Sequence, residues 1–318
     1  HHGCLELMRI QIMQRKPLII DTDIGGDVDD TWTLGMLFRS DAVELKGITT
    51  ETGDPLYRAA LCAKLVETAG LAPVPIGLGK PGIKKRCCQG EWLGDYRIPA
   101  AFDLSRSPVS VIAETVRKSE VPVTLLAIGP LSNPADLVRE APDVIGKIDL
   151  VAMGGSVFRG YFGRETPSLE YNIMADAESA KTVFRAPWHS ALLVPLDICG
   201  NVLLRGEKFQ TLKRSDAVMA KAVMANHEIW CKWKLAAKEE CPYKYEVEST
   251  LLADPAAAAL IVKPELAKIE ELPLSVTDEG MTVVDCGHGT PMQVALGWHD
   301  VEEFYDLVLE LLMKFLTN

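Results

Sequence analysis

The feature that most constrains this chain is a short apolar strand that leads directly into a cluster of acids. The strand 18–20 is followed, within ten residues, by five aspartates and two glycines. The aspartates are Asp21, Asp23, Asp27, Asp29 and Asp30. Carboxylates this close repel one another, and they destabilise a fold unless protons or a hard cation neutralise them. Because a buried strand is seldom followed by a merely solvated acidic loop, we expect an oxygen-ligand metal site here.

The composition is that of a globular protein with a small-molecule partner. With 318 residues, 48% of them hydrophobic, the chain can form one large α/β domain. Its net charge of -11 argues against nucleic acid and anionic membranes, since phosphate recognition depends on Lys and Arg. The eight cysteines lack metal-ligand or disulfide spacing, which predicts a reducing cytoplasm. Neither a membrane-spanning stretch nor a signal-peptide pattern is found.

Apolar runs alternate with helical periodicity along the first two thirds of the chain. The predicted strands are 18–20, 45–48, 123–128, 150–153 and 192–195. The predicted helices are 30–39, 55–69, 109–118, 134–140 and 177–185. This repeated β-α order predicts an open, doubly wound, mostly parallel sheet flanked by helices.

The last third of the chain shows a different pattern. Segment 206–245 is helical but polar, and it could cover a cleft. Short strands at 272–276, 282–285 and 292–295 precede an amphipathic helix over 301–315. We interpret residues 1–16 as a tag remnant and amino-terminal extension, and residues 17–318 as a single domain.

The unusual polar residues of this pattern follow the predicted strands. Acids end the first strand, the second is followed by 49–54, and glycine turns at 128–130 and 153–155 follow two later strands. In an open parallel sheet a ligand lies beyond the carboxyl ends of the strands, so all these residues belong to one edge. Ordinary turn chemistry explains the glycines but does not explain five acids together.

Five motifs in this order resemble the nucleoside hydrolase family, the inosine-uridine preferring nucleosidases that cleave the N-glycosidic bond of ribonucleosides. They are DTDIGGDVDD (21–30), LAIGPLSN (126–133), MGG with EYNIMAD (153–155 and 170–176), DP with KPEL (254–255 and 263–266) and GMTVVD (280–285). Within the first motif, Gly26-Asp27 reads as a two-residue expansion. The resemblance covers nearly everything after Lys16.

The resemblance implies one Ca²⁺ ion and a set of site residues. The implied metal ligands are Asp23, Asp30, Asp254 and the backbone carbonyl of Ile128, and Asp23 would also deprotonate the attacking water. The implied ribose site comprises Asp29, Asp54, Met153, Glu170 and Asn172. The candidates for contact with the base are Gln89, Trp92, Trp230 and Tyr245, with Asp21 and Asp27 supporting the site from behind. A cytoplasmic homodimer or homotetramer in purine or pyrimidine salvage is also implied.

The chain departs from the family pattern at the leaving group. Many members place a histidine just before the last metal ligand, and this position is Ala253 here. A second family histidine aligns with Gln89. A methyl group cannot donate a proton, so an aromatic ring stacked on the base, or a better leaving group, would have to replace the acid.

Two other readings of the sequence stay open. The chain could bind a metal and ribose with little hydrolase activity. It could also be a magnesium-dependent phosphatase of the haloacid-dehalogenase type, since such enzymes begin with a strand ending in Asp-x-Asp. Gly25 stands where that motif has Thr or Val, and the later lysine motif is missing. Release of ribose against release of phosphate separates the two enzyme classes.

Overall fold

The computed structural model describes residues 15–83, 87–238 and 243–316, so residues 1–14 of the predicted extension lie outside the described residues. The described residues form one nine-stranded sheet. Its strands are β1 (Lys16–Thr22), β2 (Val43–Thr50), β3 (Ile76–Gly77), β4 (Val123–Ala127), β5 (Ile148–Met153), β6 (Ser190–Val194), β7 (Ala267–Val276), β8 (Thr282–Val284) and β9 (Thr290–Trp298). The order across the sheet is β3-β2-β1-β4-β5-β6-β9-β7-β8. Pairing is parallel from β3 to β9, and β7 and β8 continue the sheet in antiparallel fashion.

Helices cover both faces of this sheet. They are α1 (Asp29–Phe38), α2 (Pro55–Thr68), α3 (Gly90–Leu93), α4 (Pro108–Lys118), α5 (Ser132–Glu140), α6 (Tyr171–Ala175), α7 (Ala177–Arg185), α8 (Leu196–Cys199), α9 (Gly206–Lys213), α10 (Val218–Ala236), α11 (Ala253–Val262) and α12 (Val301–Leu312). Short 3₁₀ turns occupy Pro142–Lys147, Tyr161–Gly163 and Pro264–Leu266. None of the helices in the described ranges is both long and apolar enough to cross a membrane.

The two cores follow from the alternation of side chains along each strand. In β1, Leu18 and Ile20 pack with Trp32 of α1 on one face, whereas Ile19 packs with Leu125 on the other. All of these side chains are fully buried. A strand that is apolar on both faces requires helices on both faces, as in doubly wound folds. The predicted α/β fold class is confirmed.

The first acidic motif lies where the strand order reverses. Strand β1 pairs with β2 on one side and with β4 on the other, while the chain first runs outward through β2 to β3 before it returns to β4. In the register, Asp21 is level with Thr49 of β2 and Ala127 of β4. Such a switch point is the usual ligand site of an open parallel sheet.

Some predicted elements differ from the structure. The helical segment 206–245 consists of two helices, α9 and α10, with a break between Lys213 and Val218, and part of its end, 239–242, lies outside the described residues. Helix α5 begins at Ser132 rather than at Pro134. Strand β3, with only two residues, gave no apolar run long enough to be recognised in the sequence.

Candidate active site

A cavity of about 830 Å³ opens at the carboxyl ends of the central strands. Eleven of the predicted site residues line it: Asp23, Asp27, Asp29, Asp30, Asp54, Ile128, Met153, Glu170, Asn172, Trp230 and Asp254. They come from the end of β5, from α1, α6, α10 and α11, and from loops at the strand ends. The fold therefore assembles residues that are more than 200 positions apart in the sequence.

Three buried or half-buried carboxylates form the centre of this cavity. Asp29 and Asp30 lie in the first turn of α1 and Asp254 in the first turn of α11. Each offers a carboxylate oxygen, and these atoms lie within 4.8 Å of one another. The backbone N–H of Asp254 donates to Asp29 Oδ2 at 3.3 Å. Because helix N-termini favour negative charge, the two helix starts help to hold the acids together.

The electrostatics of this group call for a neutralising partner. Burial, together with the charge of neighbouring aspartates, raises the pKa of Asp29 to about 7. Burial and the charges of Asp29 and Asp23 also raise the pKa values of Asp254 and Asp30 well above the usual range. At neutral pH the group must therefore hold protons or a cation. Clustered carboxylate oxygens are the donor set that a hard divalent cation prefers, so the residues fit a metal.

Asp23 lies in the same cavity but outside this group of three. Burial raises the pKa of Asp23 to about 6, although the guanidinium of Arg58 acts to lower it. The loop after β4 lies close to Asp23, since a Cβ built on Gly129 would lie 3.1 Å from the Cβ of Asp23. A side chain at Gly129 would therefore have to displace Asp23 or Glu51 slightly. Asp29, which the resemblance assigns to the ribose, is also a member of the acidic group.

The residues expected to bind ribose form a second, well-ordered wall. Glu170 caps α6, and its carboxylate accepts hydrogen bonds from the backbone N–H groups of Gly155 at 2.8 Å and Asn172 at 2.9 Å. The Asn172 side-chain amide donates to the backbone carbonyl of Met153 at 3.1 Å. Burial raises the pKa of Glu170 to about 7. These bonds fix a carboxylate and an amide toward one side of the cavity.

Asp21 lies behind the cavity rather than in its lining. Its Oδ1 accepts hydrogen bonds from the Thr49 hydroxyl at 2.5 Å and from the Asn133 amide at 2.8 Å. Glu51, a residue that the sequence did not single out for a role, lies beside it and accepts from the backbone N–H of Asn133 at 3.1 Å. Burial and Asp21 raise the pKa of Glu51 well above its usual range. Its one sequence signal was its position directly after β2.

Two polar residues near helix starts make different contacts. Asn133, which precedes Pro134, does not cap a helix, because it is the second residue of α5 and its side chain donates to Asp21 and to the carbonyl of Thr50. Asp176 does cap α7, accepting from the backbone N–H of Ser179.

The region expected to hold the base contains one of the predicted aromatics. Trp230 is almost fully buried in the wall, and its Nε1 donates to the carbonyl of Gly26 at 3.1 Å. The loop residue Asp27 is exposed, and its Oδ1 lies 3.9 Å from Lys234 Nζ. Ala253 also lines the cavity.

Gln89, Trp92 and Tyr245 do not line the cavity. The Gln89 amide is buried in the core and donates to the Thr31 hydroxyl at 2.6 Å and to Asn226 Oδ1 at 2.9 Å. The ring of Trp92 packs under Lys64 Nζ, at 4.5 Å from the ring centroid. Lys213 Nζ lies over the ring of Tyr245, at 5.5 Å from the ring centroid.

Comparison with known proteins decides the family. The family model for the inosine-uridine preferring nucleoside hydrolase matches residues 18–306. This chain belongs to the nucleoside hydrolase family. As a nucleoside hydrolase it is an enzyme that cleaves N-ribosyl bonds, as the sequence motifs predicted, and the phosphatase reading finds no support.

Relatives of this nucleoside hydrolase cover nearly its whole length. It is 29% identical to the inosine-uridine preferring nucleoside hydrolase of Crithidia fasciculata, over 94% of this chain and 98% of that protein. It is 26% identical to a probable uridine nucleosidase of Oryza sativa, over 86% of each chain. The fold matches that of a purine-preferring ribonucleoside hydrolase from Gardnerella vaginalis, with a TM-score of 0.74 and 23% identity over 94% of this chain and 99% of the other.

Proposed function

We propose that this nucleoside hydrolase depends on Ca²⁺ and releases free base and ribose from ribonucleosides or related N-ribosides. The observation that carries the proposal is the group of Asp29, Asp30 and Asp254 beside Asp23 in one cavity. As the resemblance implies, we also propose a cytoplasmic homo-oligomer that acts in nucleoside salvage.

The donor set supports calcium. Ca²⁺ takes six to eight oxygen ligands in flexible geometry, and two helix starts supply three carboxylates here. Asp23 and the carbonyl of Ile128, which also line the cavity, are the further ligands that we propose. A bound divalent cation lowers the pKa of a neighbouring water and fixes its position.

Asp23 is the proposed base that takes the proton from the attacking water. It lines the same cavity as the acidic group and lies close to Gly129 after β4, so it is the carboxylate that we propose to hold the attacking water. General bases of this kind typically contribute 10²- to 10⁴-fold to rates. Asp21 and Glu51 support its strand end from behind through Asn133.

The wall of Glu170, Asn172 and Met153 is the proposed ribose site. Departure of the base leaves positive charge on the sugar ring, and nearby carboxylates stabilise that charge electrostatically. Glu170 is held by backbone N–H groups, so its carboxylate cannot turn away from the sugar. A substrate without a ribose hydroxyl would leave buried polar groups unpaired and would be rejected.

The test is release of reducing sugar from purine and pyrimidine ribonucleosides, with their 2′-deoxy forms as controls. We expect ribose from at least one ribonucleoside, loss of the activity in chelator and its recovery on addition of Ca²⁺. Asp254→Asn should lose activity, whereas the control Asp306→Asn, at an exposed ion pair with Lys208, should not. Calcium binding without ribose release from any nucleoside would favour the binding-protein reading instead.

A further inference from the structure

A lysine in the cavity wall is held in place by a ring and a carboxylate. Lys234 follows Trp230 by four residues in α10, so the two side chains share one face of the helix. Its Nζ lies 4.8 Å from the centroid of the Trp230 ring and 3.9 Å from Asp27 Oδ1. The Lys234 side chain is only 15% exposed. The ammonium therefore belongs to the wall of the cavity rather than to the solvated surface.

The same helix face is fastened to the loop that carries Asp27. The Trp230 indole donates to the carbonyl of Gly26 at 3.1 Å. Gly26 and Asp27 are the two residues that read as an expansion of the first acidic motif when it is compared with the family pattern. Helix α10 therefore contacts two consecutive loop residues, Gly26 through Trp230 and Asp27 through Lys234. These contacts orient Lys234.

Two basic residues are found among the described residues that line the cavity, and Lys234 is the one whose charged group remains available to a ligand. The other basic lining residue is Arg58, whose guanidinium donates to the backbone carbonyls of Ile24 at 2.8 Å and Thr52 at 3.0 Å. The contact of Lys234 with Asp27 is longer than a hydrogen bond, so its N–H groups can still turn to an acceptor in the cavity. Ala253, at the position of the family's acid, offers only a methyl group.

We infer that Lys234 activates the leaving base, a role that rests on the proposed function. As the bond between C1′ and the base nitrogen breaks, its electron pair moves onto the base, and the Lys234 ammonium donates a proton to that base. The attacking water gives its hydroxide to C1′ and its proton to Asp23. Lys234 then regains a proton from solvent and Asp23 releases one, so the step is balanced. Asp27 is a positioning residue that holds the ammonium.

The test compares two substrates that differ in their need for an acid. Inosine has a poor leaving group, whereas 4-nitrophenyl ribofuranoside releases a stable phenolate without protonation. We expect Lys234→Gln to lower kcat/KM for inosine about 10²-fold and to change it less than about threefold for the nitrophenyl substrate. Lys234→Arg should lose inosine activity to a similar extent, because a guanidinium keeps the positive charge but does not give up its proton. Lys232→Gln is the matched control, since Lys232 lies on the same helix but is exposed and paired with Glu228.

The possible results separate this inference from the proposed function. An equal loss on both substrates, or no loss on inosine, would overturn the role of Lys234 while leaving the hydrolase intact. If the wild-type protein cleaved neither substrate, the proposed function would fail and the inference with it. Should Lys234→Gln not fold, judged by its thermal unfolding, Asp27→Asn provides the second variant. It should reduce the inosine rate about tenfold and spare the nitrophenyl rate, and the opposite pattern would overturn the inference.

Discussion

Asp29→Asn should stabilise the metal-free protein at high pH, although it removes a site residue. The pKa of Asp29 is raised from 3.8 to about 7, so the folded state binds the proton more tightly than the unfolded state. The stability that this proton contributes is complete below about pH 4 and is lost as the pH rises to about 7. A shift of about three units corresponds to about 4 kcal/mol at 1.36 kcal/mol per unit. Asparagine carries no charge, so it escapes this loss.

The measurement is urea unfolding in chelator at pH 5 and pH 8. We expect Asp29→Asn to exceed the wild type by up to about 4 kcal/mol at pH 8 and by less than half of that at pH 5. The amide oxygen can still accept from the backbone N–H of Asp254, so this hydrogen bond need not be lost. Asp306→Asn, with its exposed ion pair, should change stability by less than about 1 kcal/mol at either pH.

Calcium should make the wild type more stable than Asp29→Asn, which reverses the order expected in chelator. Saturating Ca²⁺ should stabilise the wild type strongly at pH 8 and Asp29→Asn much less, because a bound ion stabilises only the state that binds it. A variant that is less stable than the wild type in chelator at pH 8, or a difference that is the same at pH 5 and pH 8, would refute the electrostatic reasoning.

Two further predictions concern the reaction. Asp23→Asn should lower kcat for ribose release at least about 10²-fold with calcium still bound, because the amide cannot take the water proton. Equilibrium dialysis with the metal and initial rates check both parts, and an unchanged rate would remove Asp23 from the chemistry. Ala253→His should raise inosine turnover less than about threefold alone but at least about tenfold in the Lys234→Gln background, since a histidine replaces a missing acid. Equal gains in inosine turnover with and without Lys234→Gln would show that Lys234 does not supply the acid that a histidine at position 253 would supply.

The fold and the acidic centre could be predicted from the sequence because both depend on local patterns. The apolar triplet 18–20 identified β1, and parallel strands end at one edge, so Asp23, Asp30 and Ile128 were expected to meet there. Asp254 is different. Its own sequence context, an aspartate before a proline, indicated only a helix start, and the family motif alone brought it to the site.

The remaining features depend on side-chain packing, which the sequence pattern does not encode. Gln89 was expected near the base, but its amide donates hydrogen bonds to Thr31 and Asn226 in the core. Asn133 is the second residue of α5 rather than its cap, and its side-chain amide donates to Asp21. The pairing of Lys234 with Asp27 joins residues more than 200 positions apart, and segment 206–245, which carries Lys234, has no recognised motif.

We propose that one cation, held by Asp29, Asp30 and Asp254, makes ribose release possible. The most direct test is to add Ca²⁺ in steps to the metal-free protein while bound calcium and ribose release are measured in the same samples. We predict that activity rises in proportion to bound calcium and reaches its maximum at about one ion per chain. Full activity in chelator, with calcium far below one ion per chain, would contradict the account.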